Sequence, residues 1–137
     1  MSDIPKPVPR RDGLNAEFYD FVNRHELRFQ CCTNCDTFRH MPRESCEHCG
    51  SFDWEWRASS GNATLFSWTT IHRALHPAFA DDIPYTSVVV EMEEGVRLVT
   101  RLEDVPDDEL EIGLPLQVEF AKVAEDVVLH QFRKQDT

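Results

Sequence analysis

The stretch CCTNCDTFRHMPRESCEHCG, residues 31–50, decides the reading of this 137-residue chain. It holds Cys32-x2-Cys35, ten intervening residues, then Cys46-x2-Cys49. Each C-x2-C pair turns tightly enough for both sulfurs to reach one ion. The loop between them brings the pairs together, as a tetrahedral zinc site requires. Gly50 follows the second pair, where such a turn favours a residue that tolerates positive φ. Asp36 stands at the matching place after the first pair, and Asp tolerates that conformation better than most. Four thiolates fill the shell and leave no open position for water, so the expected metal is structural zinc rather than a catalytic ion. Iron in a rubredoxin-like site is the alternative, because four-thiolate ligation does not choose the metal. Cys31 adjoins Cys32 and is expected to point elsewhere, and His40 and His48 read as surface histidines.

Around that stretch, residues 29–58 are too poor in aliphatic side chains to bury a core of their own, so the metal must hold them. Before it, Leu14, Phe18, Phe21 and Val22 recur on one helical face and predict a helix over residues 14–25, within an N-terminal helical unit set at 14–28. The preceding residues 1–13 carry Pro5, Pro7 and Pro9, which forbid helix and predict a flexible tail or an arm on a partner. After the ribbon, residues 59–134 read as β. Strands are expected at Thr64–His72, with Phe66 and Trp68 on one face, at Tyr85–Glu93, Val96–Leu102, Leu116–Val123 and Val127–Phe132. Glu94-Gly95 supplies a tight turn. Five short strands with aromatic faces suggest a small closed barrel, since closure removes exposed edges. The expected architecture is therefore mostly β: an N-terminal helix, a zinc ribbon, then a five-stranded closed barrel.

Charge narrows the function. The chain has 14 Lys+Arg against 25 Asp+Glu, a net of −11. Residues 59–137 hold 6 basic and 15 acidic side chains, so the barrel would repel a phosphate backbone. A nucleic-acid-binding ribbon–barrel module is thus the alternative reading, not the favoured one. An anionic membrane is disfavoured on the same ground, and no apolar run exceeds three residues. The first thirteen residues lack the apolar core of a signal peptide, so a cytoplasmic location is expected. Residues 103–111 (EDVPDDELE) carry six carboxylates and read as a solvated loop, since their spacing fits no EF-hand. No nucleophile elbow, zinc-protease motif or phosphate loop occurs. His72 and His76, at the end of a strand before the loop of Pro77, Phe79 and Pro84, could do proton transfer as a pair, but read better as a strand end and a ligand- or partner-facing loop.

These features together resemble the DUF35 family of zinc-ribbon, OB-fold proteins associated with acyl-CoA enzymes. The resemblance runs from about residue 14 to 132. It rests on the cysteine spacing, Pro42-Arg43 before the second pair, Pro84-Tyr85, Glu94-Gly95 and Ile112-Gly113. Asp36 departs from it, where the family commonly has Gly. On fold, the resemblance implies a rubredoxin-like zinc ribbon and a five-stranded OB-fold barrel. On function, it implies a non-catalytic subunit of a hetero-oligomer with a thiolase-like or MaoC-like acyl-CoA enzyme. A retro-aldolase that cleaves a steroid side-chain β-hydroxyacyl-CoA is one such assembly. It also implies that Cys32, Cys35, Cys46 and Cys49 hold the metal and that catalysis sits on the partner. Were CoA contacted, the sparse positive charges nominate Arg39, Arg43 and Arg73. The aromatic segments nominate Phe18, Phe21, Phe79 and Tyr85 for the partner interface.

Overall fold

The computed structural model describes residues 4–135. Helix α1 (Gly13–Asn23) is followed by three ribbon strands, β1 (Arg28–Cys32), β2 (Phe38–Arg39) and β3 (Trp54–Ala58). Five barrel strands come next: β4 (Asn62–Ile71), β5 (Tyr85–Met92), β6 (Arg97–Leu102), β7 (Pro115–Ala124) and β8 (Val127–Lys134). The helix is shorter than its sequence suggests. His25 takes φ 61°, which a right-handed helix cannot continue through, and Arg28 already belongs to β1.

The ribbon strands form an antiparallel sheet in the order β2-β1-β3, and the barrel closes in the order β4-β5-β6-β8-β7. Alternation is strict in β5, where Thr86, Val88, Val90 and Met92 point inward. Leu98 and Leu102 of β6, Leu116 of β7 and Phe132 of β8 complete the interior. Each such side chain removed from water contributes about 1.5–3 kcal/mol. Gly61 makes the entry to β4 feasible. It sits at φ +80°, its carbonyl accepts from Val118 N at 2.9 Å, and an added Cβ would lie 2.8 Å from Val118 Cγ1.

The helix joins the two halves. Phe18 is 1% exposed and Val22 is 0% exposed, in one core with Leu27 and Phe29 of the ribbon side and the barrel interior. Phe18 therefore packs within its own chain and has no surface left for a partner, which corrects the interface role read from the sequence. The reason is tertiary: an aromatic helical stripe shows that a face must be covered, not what covers it. Asn23 ties the end of α1 to the β7–β8 turn, donating to Asp126 O at 3.0 Å and accepting from Val128 N at 2.8 Å.

The segment before α1 also returns to its own barrel. Lys6 Nζ lies 2.6 Å from Asp82 Oδ2 and 5.6 Å from the Phe79 ring centre, and Arg11 pairs with Asp126 at 3.1 Å. Residues 1–3 of the expected tail lie outside the described residues. Phe66 and Trp68 are 41% and 37% exposed, so neither fills the barrel. A bulge between Leu65 and Ser67 shifts the register there. Among the described residues, no helix is long and apolar enough to cross a membrane.

Candidate metal centre

The two cysteine pairs are built as near copies of one another, fourteen residues apart. In the first, Cys32 N donates to Thr37 O at 2.9 Å and Asp36 N donates to Cys32 O at 2.8 Å. In the second, Cys46 N donates to Ser51 O and Gly50 N to Cys46 O, both at 2.8 Å. Both turns need a left-handed residue at the same point, supplied by Asp36 at φ 62° and Gly50 at φ 79°. The Asp36 departure from the family pattern thus preserves the turn.

The four sulfurs all lie within 4.8 Å of one another. Cys32 and Cys49 approach to 3.6 Å, and Cys35 and Cys46 to 3.7 Å. A tetrahedral ion with metal–sulfur bonds of about 2.3 Å has sulfur–sulfur edges of about 3.8 Å. Two of the six edges of the cage match those of such an ion, and none exceeds 4.8 Å. Polar groups stabilise the thiolates. Asn34 Nδ2 donates to Cys49 Sγ at 3.4 Å and, with the Ser51 backbone, holds the Cys49 thiol down to about 6. The Cys49 backbone N–H foremost pulls Cys46 down as well. Cys35 is the exception: the Thr37 hydroxyl 3.2 Å away lowers it, but burial and the Cys49 and Cys46 sulfurs outweigh that and push its thiol up to about 11. When bound, the ion would clamp β1 to the loop ahead of β3. It would supply folding energy rather than an activated water, because the four sulfurs occupy the whole shell.

Cys31 is not a ligand. Its side chain leaves β1 on the opposite face from Cys32, is buried, and has its thiol pushed up by that burial. His48 is exposed, but His40 is not the surface histidine its sequence suggests. Its ring lies 4.9 Å from that of Phe18 and 5.7 Å from that of Phe29, between ribbon and helix.

The cations read as CoA candidates fall in different settings. Arg39 is buried, donating from Nε to Gln30 Oε1 at 3.0 Å and from Nη2 to Arg43 O at 2.8 Å. Those internal bonds take Nε and Nη2, and Nη1 is buried away from solvent, so its role as a surface anion contact is withdrawn. It staples the ribbon loop instead, together with Gln30, whose Oε1 accepts from Arg43 N at 2.7 Å. Sequence reasoning missed Gln30, a fully buried amide between Phe29 and Cys31. The signal was a polar residue inside an otherwise apolar strand. The Arg43 side chain is half-exposed and pairs with Glu47 at 2.6 Å. Arg73 is exposed in the loop after β4. Phe21 is half-buried against Trp56 at 5.5 Å. Phe79 and Tyr85, 6.1 Å apart, line a cleft of about 350 Å³ together with Lys6, Pro7 and Pro9. His76 Nδ1 accepts from Ala78 N at 3.0 Å and caps a 3-10 turn at Pro77–Phe79, a structural task.

Residues 20–55 match the family model for the ChsH2 rubredoxin-like zinc ribbon domain, and residues 56–121 match that for the ChsH2 C-terminal OB-fold domain. A DUF35 domain-containing scaffold protein of Methanothermobacter thermautotrophicus is 30% identical over 75% of this chain and 77% of its own length. The chain belongs to the DUF35 family. Among DUF35 structures, a chain of the Ltp2-ChsH2(DUF35) aldolase superposes with a TM-score of 0.82 at 36% identity, covering 94% of this chain and 98% of that one. The probable enoyl-CoA hydratase alpha subunit of Thermomonospora curvata is 37% identical over 94% of this chain. This chain spans only 39% of that relative's length. The family model names the ribbon a zinc domain, in accord with the four-sulfur cage; nothing in either favours iron.

Proposed function

We propose that this DUF35 chain is a non-catalytic accessory subunit that docks on a thiolase-like partner and completes an acyl-CoA enzyme. The reaction is retro-aldol cleavage of a β-hydroxyacyl-CoA, a steroid side chain being the substrate class suggested by the family. One observation carries this reading: the end-to-end likeness, at 36% identity, to a chain of the Ltp2-ChsH2(DUF35) aldolase. In this scheme zinc on Cys32, Cys35, Cys46 and Cys49 keeps the ribbon folded. α1 fixes ribbon and barrel in one orientation, and the partner performs the bond cleavage. Phe21, Phe79 and Tyr85 remain candidates for the partner face, and Arg43 and Arg73 for CoA phosphates. Four reduced thiolates suit a reducing, cytoplasmic setting.

A second reading has a specific observation behind it. The similarity to a probable enoyl-CoA hydratase alpha subunit favours a hydratase as the partner. Binding to nucleic acid ranks below both, because the barrel half carries nine of the eleven net negative charges.

The test is co-expression with a thiolase-like protein and, separately, with a MaoC-like hydratase. Mass measurement after size exclusion shows which one co-elutes in near-equal amount. Cleavage and hydration are then assayed on β-hydroxyacyl- and enoyl-CoA thioesters. A stable complex with cleavage that neither protein gives alone supports the proposal. Co-elution with the hydratase only moves the second reading to first place. A chain that stays alone with both sinks the accessory-subunit reading.

A further inference from the structure

The two edges of β4 are unequally covered. On one side it pairs with β5 from Ala63 to Ile71. On the other it pairs with β7 only over Asn62–Thr64. Leu65 ends that contact, donating to Leu114 O at 3.0 Å and accepting from Gly113 N at 2.8 Å. From Phe66 to Ile71 this second edge has no strand partner among the described residues. Six residues of strand offer about 20 Å of unpaired backbone.

The run itself, FSWTTI, has no charge and no proline, in a chain that is 28% charged. Exposed edges are ordinarily blunted by such residues. Here the edge itself carries no charge, is rich in strand formers, and is flanked by the partly exposed rings of Trp68 and of Phe66, over which Arg97, paired with Glu91, lies at 3.9 Å.

The acidic loop 103–111 lies alongside. Glu103, Asp104 and Asp107 line a groove of about 470 Å³ that Thr70 and Thr86 also line; the groove's cation, Arg101, is already paired with Asp82 and Glu103. The far end of the loop reaches Gly113, bonded to Leu65. The loop therefore meets β4 at both ends of its uncovered edge. Glu103 pairs with Arg101, and Glu109 with Lys134. Asp104, Asp107, Asp108 and Glu111 form no ion pair among the described residues.

We propose that the Phe66–Ile71 edge accepts an extended, basic segment of another protein as an added strand. Its backbone pairs with β4, and its Lys and Arg side chains face the acidic loop. A second copy of this chain is the wrong occupant, because it brings eleven more net negative charges to the same acidic side. A nucleic acid is wrong for the same reason. This inference does not depend on the identity of the acyl-CoA partner.

The test is hydrogen–deuterium exchange on the full chain, loaded with zinc. One probe is an octapeptide alternating lysine and valine; its twin alternates glutamate and valine. The expected result is that the basic peptide slows exchange across residues 66–71 about tenfold or more, while the acidic twin does not. A variant carrying Asp104→Asn, Asp107→Asn, Asp108→Asn and Glu111→Gln changes only exposed side chains. It should need about tenfold more basic peptide for the same protection. No slowing with either peptide overturns the proposal, as does equal slowing with both. Slowing that rises with protein concentration and needs no peptide also overturns it, by assigning the edge to a second copy.

Discussion

Lowering the pH from 7 to 4.5 should unlatch the junction between ribbon and barrel through two histidines. His40 sits among the rings of Phe18 and Phe29, and His130 meets Phe18 edge-on at 5.7 Å. His130 Nδ1 is buried without a hydrogen-bond partner among the described residues. Burial pushes both imidazoles down to about 4, and the neighbouring His130 charge adds to the drop at His40. An unfolded histidine titrates near 6.5. The unfolded chain therefore takes up protons first, and stability falls as pH drops from about 6.5 towards 4. At about 1.4 kcal/mol per unit, each site contributes at most about 3 kcal/mol. Both rings keep a fringe of solvent, so the pair should give less than twice that. The slope should approach about 2–3 kcal/mol per pH unit where both titrate. That is large against a total stability of about 5–15 kcal/mol. Urea unfolding, followed by fluorescence of Trp54, Trp56 and Trp68 at pH 8, 7, 6 and 5 with zinc present, reads it directly. The midpoint should be flat from 8 to 7 and fall steeply below 6. The double variant His40→Met, His130→Met should lose most of that slope and keep its zinc. Equal slopes in both proteins would refute the reasoning and place the acid sensitivity elsewhere.

Other expectations follow from the same geometry. Purified protein should carry one zinc per chain by elemental analysis. Cys46→Ser should lose it and unfold the ribbon, since binding of a structural zinc supplies about 10 kcal/mol or more; iron in stoichiometric amount would refute the assignment. Gly61→Ala should cost about 2 kcal/mol or more from positive φ and from the contact with Val118. Adding Val118→Ala should recover the contact part, and strictly additive losses in thermal unfolding would show that no clash exists. Phe132→Ala, at a side chain with no exposure, should cost about 3–5 kcal/mol by the same urea assay. Arg43→Glu and Arg73→Glu should weaken acyl-CoA binding by the assembled complex, measured calorimetrically, and unchanged affinity would remove both from the CoA site.

Some of this was legible in the residues and some was not. The metal site was, because a C-x2-C turn is a local object and four such sulfurs have few other uses. Strand β6 was, since the alternation of Val96, Leu98 and Leu102 with Arg97 and Arg101 reports which side chains share a face; β5 was legible from its β-branched, apolar content. The helix was recognised but run too far, because nothing in its periodicity marks the positive φ of His25. Arg39 and His40 were misread as available surface groups. They are flanked by Phe38 and Met41, and the groups that bury them, Gln30, Phe18 and Phe29, come from other elements. Phe18 was misplaced for the same reason.

Short-range spacing, then, was enough to specify the zinc cage, the strand periodicity and the excess of acid over base, because each depends on residues a few positions apart. Tertiary structure alone decided what α1 covers, which cations are already occupied and which edge of β4 stays open. Those outcomes depend on which distant surfaces meet, and on strands β4 and β7 closing the barrel over only three residue pairs.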